Sequence, residues 1–161
     1  MSLLEFLHRP GVFRRLMNLW PPFLGASIRV DHISPDWREV RTSLPLHITN
    51  RNYLKTQYGG NLFSMTDPFL VLILIRQLGS DYQIWDQSAE ITFVRPGRSR
   101  VTALMQVEPE RVDMIRRACE KGEKHLEEFL VNVLDANGQR VARVRKVVYI
   151  RLKESRRAFE Q

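Results

Sequence analysis

The strongest constraint in this sequence lies between Asn52 and Gly79. There a polar loop passes through Gly59-Gly60 and becomes a long apolar segment broken by Asp67-Pro68. From Phe69 to Ile75 seven apolar residues follow one another. A helix built from them has no polar face, so it must be covered on nearly every side. Asp67, Pro68 and Arg76 interrupt the segment and argue against a membrane span. The simplest solution is a central helix wrapped by a curved sheet. Asp67 then has little access to solvent, and its carboxylate is the group that most needs a reason.

The flanking segments supply that sheet. Ile28 and Val30 alternate with Arg29 and Asp31, Ser34-Pro35-Asp36 turns the chain, and Val40, Thr42 and Leu44 alternate with Glu39, Arg41 and Ser43. This spacing predicts a hairpin. Beyond the helix a strand starts near Asp81, and Ala89, Ile91 and Phe93 share a face opposite Ser88, Glu90 and Thr92. Arg95-Pro96-Gly97-Arg98 then turns the chain into a returning strand through Val101, Ala103, Met105 and Val107. Pro109 opens a short helix with Val112, Ile115 and Cys119 on one face. Two last strands, about residues 126–134 and 140–151, flank Asp135-Ala136-Asn137-Gly138, a hairpin signal. The order predicts an α+β fold, an antiparallel sheet wrapped around a long central helix. The expected plan is an N-terminal helical segment over 1–25, the main domain over 26–152 and a charged tail over 153–161.

With 161 residues the chain is most simply one domain with a real core. The single cysteine, Cys119, excludes an internal disulfide and reads as a small core residue. His8, His32, His47 and His125 show no ligand spacing, so neither a metal nor a cofactor is expected. These features suit a reducing, cytoplasmic setting. The net charge of +7 favours an acidic partner: nucleic acid, an anionic membrane or a phosphorylated small molecule. No interleaved aromatic and basic motif supports nucleic acid. Residues 1–30 hold one acid, Glu5, and four arginines, and Pro21-Pro22 breaks the apolar run that a signal peptide would need. An amphipathic N-terminal helix or two is expected, packed on the domain or on a partner subunit, without stable membrane insertion.

Two roles are open to Asp67. Before Pro68 it can cap a helix. In an apolar setting that raises its pKa, it can act as a base or nucleophile. Gly59 and Gly60 can serve tight packing, or can let a carbonyl approach the unpaired amides of a helix start. Asn52 is a loop residue or a group that orients water, and Tyr58 is a packed aromatic or a hydroxyl donor. Arg95, Arg98 and Arg100 near the turn, and Arg143, Arg145 and Lys146 on the last strand, guard an edge against aggregation or bind phosphate.

At the junction of loop and helix the sequence resembles the phenylacetate-degradation type of hotdog-fold acyl-CoA thioesterases. Asn52 stands at the position of that family's Asn, Lys55-Thr56 at its Gly-Thr, Tyr58-Gly59-Gly60 at its His-Gly-Gly, and Asp67 at its helix acid. Phe93-Val94-Arg95-Pro96 resembles its strand ending in a Pro turn. Asp-Pro in the helix and Trp85-Asp86 before the next strand are similar to a branch labelled tetrameric acyl-CoA thioesterase. The resemblance spans most of residues 20–152. It implies hydrolysis of acyl-CoA at a site shared between two subunits, hence a homodimer or homotetramer. Within that site it implies Asp67 as the catalytic carboxylate, Gly59 as an oxyanion donor, and Asn52 and Tyr58 beside them. Gly60, Thr56, Asp86, Ser88, Arg95 and Arg98 would bind substrate, the arginines through the phosphates of CoA. Tyr58 replaces the usual His and Lys55 a Gly. The first departure opens the alternative of a non-catalytic acyl-CoA or fatty-acyl binding protein.

Overall fold

The computed structural model describes residues 6–153. The expected tail from 154 onward lies outside the described residues. Two helices precede the first strand, α1 (Pro10–Leu19) and α2 (Pro21–Ala26), each with proline in its first turn, where the missing N–H costs no hydrogen bond. Strands β1 (Arg29–Ile33) and β2 (Glu39–Leu44) follow, then α3 (Gly59–Ser64) and α4 (Phe69–Leu78). Next come β3 (Tyr82–Phe93), β4 (Val101–Gln106), α5 (Pro109–Cys119), β5 (His125–Asp135) and β6 (Arg140–Leu152). The strands form one sheet in the order β1-β2-β4-β5-β6-β3, with every pair antiparallel. A sheet of this order with the helix Gly59–Leu78 against it is the hotdog arrangement.

One connection differs from the sequence reading. The strand after Arg95-Pro96-Gly97-Arg98 does not return beside β3. β3 pairs with β6, and β4 lies between β2 and β5, so the Pro-Gly segment is a crossover and not a hairpin turn. Local turn chemistry bends a chain but does not choose its strand partner. As a result β3, 12 residues long, runs along a sheet edge.

The central helix is broken where Pro68, which has no N–H, interrupts the ladder. Residues 65–68 form a turn held by side chains. Thr42 Oγ1, fully buried, donates to Met65 O at 2.8 Å, and Thr66 Oγ1 donates to Phe63 O at 2.8 Å. The Asp67–Pro68 peptide is cis. The helix is also not covered all round. Phe69, Leu70, Ile73, Leu74 and Leu78 are buried on the sheet side, whereas Ile75 remains 40% exposed and Val71 and Leu72 are only partly covered. A sheet of one chain curves around one side of a helix and leaves the other open. Gly59–Leu78 has the length and mean hydropathy, 1.2, of a membrane span, yet here its apolar face builds the core.

The N-terminal helices close one end of that core. Phe13 and Met17 pack on it, and Asn18 clasps β1 by accepting from Val30 N–H at 2.7 Å and donating to Val30 O at 3.1 Å. Phe23 of α2 is buried against Phe69, with ring centroids 5.8 Å apart.

Candidate functional site

The loop before α3 is built by Asn52. Its Oδ1 accepts from the Thr56 N–H at 3.0 Å and from Thr56 Oγ1 at 3.2 Å. Its Nδ2 donates to Thr56 Oγ1 at 2.9 Å and to Gln57 O at 3.3 Å. Both amide ends are therefore used within the loop, which favours the reading of Asn52 as a loop residue over that of a group orienting water. The tight turn it closes puts Lys55 at φ +60°, the left-handed region where glycine is at ease.

Gln57, which the sequence did not single out, locks the loop to the sheet. Its Nε2 donates to Leu44 O and Ser99 O, both at 3.0 Å, and its N–H donates to Gly97 O at 2.9 Å. Its Oε1 is buried without a partner among the described residues. A cleft of about 430 Å³ opens here, lined by Asn52, Thr56, Gln57, Gly59, Phe93 and Arg95 among others.

Gly59 opens α3 beneath the Phe93 ring, where a Cβ would lie 2.8 Å from Phe93 Cζ. Among the described residues neither the Gly59 nor the Gly60 N–H has a protein acceptor, as expected at a helix start. Gly60 faces the other way, with the Tyr58 ring where its Cβ would be. Tyr58 is 55% exposed and borders a separate depression with Gly25, Ala26, Arg51 and Asn61. The cleft thus gathers Asn52, Thr56, Gly59 and Arg95 and leaves out Tyr58, Gly60 and Arg98. Arg95 donates to Gln139 Oε1, and Arg98 is exposed.

Asp67 lies eight residues beyond Gly59, past the end of α3, and does not line the cleft. Its Oδ1 accepts from Lys146 Nζ at 2.5 Å. The same ammonium donates to Asp86 Oδ2 at 2.7 Å. Lys146 is 1% exposed, while Asp67 is 48% exposed. This corrects the expectation of a carboxylate without solvent: in the single chain Asp67 has one oxygen on a buried cation and a half-open side chain.

A bulge positions Asp86. Before it Tyr82, Ile84 and Asp86 face the helix; after it Ala89, Ile91 and Phe93 do, because register shifts between Asp86 and Ser88. Asp86 pairs with Val148 on the inner face, whereas Ser88 pairs with Val147 and is exposed, so Ser88 takes no part in the cluster. Burial pushes the Asp86 carboxyl up, and Asp67 adds to that shift, while Lys146 opposes it. Asp86 Oδ1 is buried without a partner among the described residues.

Lys146 is the residue the sequence reading passed over, as one of several charges on an edge. A signal was present. Along β6 the inward positions are Ala142, Val144, Lys146, Val148, Ile150 and Leu152, and the lysine holds an inward phase in that alternation. A buried lysine is rare unless it is paired. Cys119 is fully buried and its thiol is pushed up by burial, as suits a core residue. Among the described residues no three His, Cys, Asp or Glu side chains are grouped to hold a metal ion.

The sequence model of a family described as a domain of unknown function (DUF4442) matches residues 10–150. No curated protein matches the sequence significantly. Several solved structures share the fold. A protein of unknown function from Pseudomonas aeruginosa, described as a probable thioesterase, superposes with a TM-score of 0.75 at 21% identity, over 91% of this chain and 99% of that one. A putative thioesterase from Shewanella oneidensis gives 0.65 at 19% identity, over 94% and 100%. A thioesterase from Haemophilus influenzae gives 0.63 at 10% identity, over 88% and 90%.

Proposed function

This chain belongs to the DUF4442 domain family, and starting from that membership we propose that it hydrolyses acyl-CoA thioesters to the free acid and CoA. The observation that carries this reading is Asp67 held by the buried ammonium of Lys146 at the break in the central helix. A carboxylate fixed through one oxygen keeps the other aimed, which is the arrangement a general base needs. Water attacks the thioester carbonyl as Asp67 takes its proton. The tetrahedral intermediate then expels the CoA sulfur, which takes the proton back from Asp67 and leaves as the thiol. The open N–H of Gly59 supports the developing oxyanion, a contribution of about 3 kcal/mol in a well-formed site. Asn52, Thr56 and Gln57 hold the loop that presents it. Arg95 and Arg98 meet the phosphates of CoA, since guanidinium suits phosphate oxygens.

Within one chain Gly59 and Asp67 belong to separate places, so the reading requires a second copy. The long free edge of β3 and the uncovered side of α4, with Ile75, support a dimer, because an unpaired strand edge and an apolar helix face both call for a cover. We place the protein in the cytoplasm, where acyl-CoA is made and consumed. The test is release of free thiol from short, medium and long acyl-CoAs. The wild type is expected to release it and Asp67→Ala to lose at least about a hundredfold in rate. No release at any chain length overturns the proposal. Saturable binding without release favours the acyl-CoA binding alternative.

A further inference from the structure

Two segments of this chain carry no carboxylate. Residues 6–30 hold Arg9, Arg14, Arg15 and Arg29 without an acid, and residues 45–66 hold Arg51 and Lys55 without one. They adjoin in space: Asn50 Nδ2 donates to Ala26 O at 3.3 Å, and Gly25, Ala26, Arg51 and Tyr58 border one depression. Both segments expose large apolar side chains. Leu19 is 68% and Leu24 60% exposed on the helical corner, beside Trp20 at 42%. Ile48, Tyr53 and Leu54 are 77%, 99% and 73% exposed on the loop. The inner faces of the same segments are committed to the core, through Phe13, Met17 and Phe23 in the first and Leu62 and Met65 in the second, so these outer side chains are not left over from a missing fold contact.

We propose that the corner of α1 and α2, with the loop of residues 47–58, is a reversible docking surface for an anionic lipid bilayer. Leucine, tryptophan and tyrosine flanked by arginine and lysine suit the boundary between headgroups and acyl chains. The cations meet anionic headgroups without any acid on the patch to repel them. A second copy of the chain is a poor occupant, because two-fold pairing would set each cationic patch against itself. Nucleic acid is a poorer occupant, since four of the six exposed apolar side chains, Leu19, Leu24, Ile48 and Leu54, offer no ring on which a base can stack, and only Trp20 and Tyr53 do. The loop in this surface leads to Gly59 and lines the cleft with Asn52, Thr56 and Gln57, so docking would bring the cleft near amphiphilic molecules at the membrane. The proposal rests on this surface alone and stands whether or not the site hydrolyses thioesters.

The test is flotation of the full chain with vesicles of neutral phosphatidylcholine, or of phosphatidylcholine with about 30% phosphatidylglycerol. Binding to the anionic vesicles is expected, about tenfold or more above the neutral ones, and should weaken with salt. Arg15→Glu with Arg51→Glu, and separately Leu19→Ser with Leu54→Ser, should each reduce it by about tenfold or more. All four side chains are exposed, so both variants should keep the wild-type circular dichroism and melting curve. Equal affinity for both vesicles, no binding to either, or full binding by the folded variants overturns the proposal. So does a fall in oligomer mass without lipid in the leucine variant, which would make the patch an interface between copies.

Discussion

Lys146 Nζ lies 2.5 Å from Asp67 Oδ1, joining residues 79 positions apart across the inside of the sheet. The lysine is almost fully buried, and its ammonium is paired with two carboxylates, Asp67 and Asp86. The break in the central helix is thereby tied to the last strand and to the bulge of β3.

Removing that cation should be costly. Lys146→Met leaves two carboxylates facing each other with no charge between them. A loss of about 2 to 3 kcal/mol is expected, below the range for fully buried pairs because Asp67 is half exposed. Urea unfolding measures it. Thiol release should fall as well, since Asp67 would lose its fixed orientation. An unchanged unfolding midpoint would show that the cluster contributes nothing to stability.

Asp86 should give stability a pH dependence. Burial raises its folded pKa above the unfolded value, so between those two values the folded state holds more protons than the unfolded state. The stability from this group is therefore present below the ordinary aspartate range and is lost as pH rises through the raised folded value. Asp86→Asn should flatten that part of the curve. Urea midpoints of wild type and variant, compared from acid to neutral pH, check the sign; a wild-type gain over that window relative to the variant would contradict it.

Lys55→Gly should stabilise the protein. At φ +60° a lysine carries a steric cost of about 1 to 2 kcal/mol that glycine avoids, and glycine returns part of that gain through its freer unfolded chain. The net expectation is an increase of about 0.5 to 1 kcal/mol, read from the unfolding midpoint.

A shared site should allow complementation. Gly59→Val puts a side chain where the Phe93 ring lies, and that ring is 57% exposed and can shift, so the fold should survive while the helix start is blocked. Asp67→Ala removes the carboxylate. Each variant alone should be inactive. After subunit exchange, an equal mixture should regain about a quarter of wild-type activity, because half of the dimers are mixed and each has one intact site. Activity that stays at zero in proven mixed dimers would place both residues in one subunit's site.

Much of the architecture was legible along the chain. The seven apolar residues from Phe69 to Ile75, the alternation through β1, β2 and β6, and Asp135-Ala136-Asn137-Gly138 are local patterns, and local patterns report local structure. Asp67 stood out in the apolar segment, whereas Asn52, Thr56 and Gly59 were singled out together through the resemblance of the loop and helix start to the hotdog thioesterases. The pairing of β3 with β6 was not legible, because Arg95-Pro96-Gly97-Arg98 bends the chain in the same way whether a hairpin or a crossover follows.

By itself the sequence determined which segments are strands and helices and where the helix must break, since periodicity and proline chemistry act over a few residues. The tertiary structure alone decided that Lys146 meets Asp67 and Asp86, and that Asn52 is consumed by its own loop. It also decided that Ser88 turns outward while Asp86 turns in. Those outcomes depend on register, on a bulge that shifts the phase of β3, and on contacts between residues dozens of positions apart. No neighbouring residue encodes them.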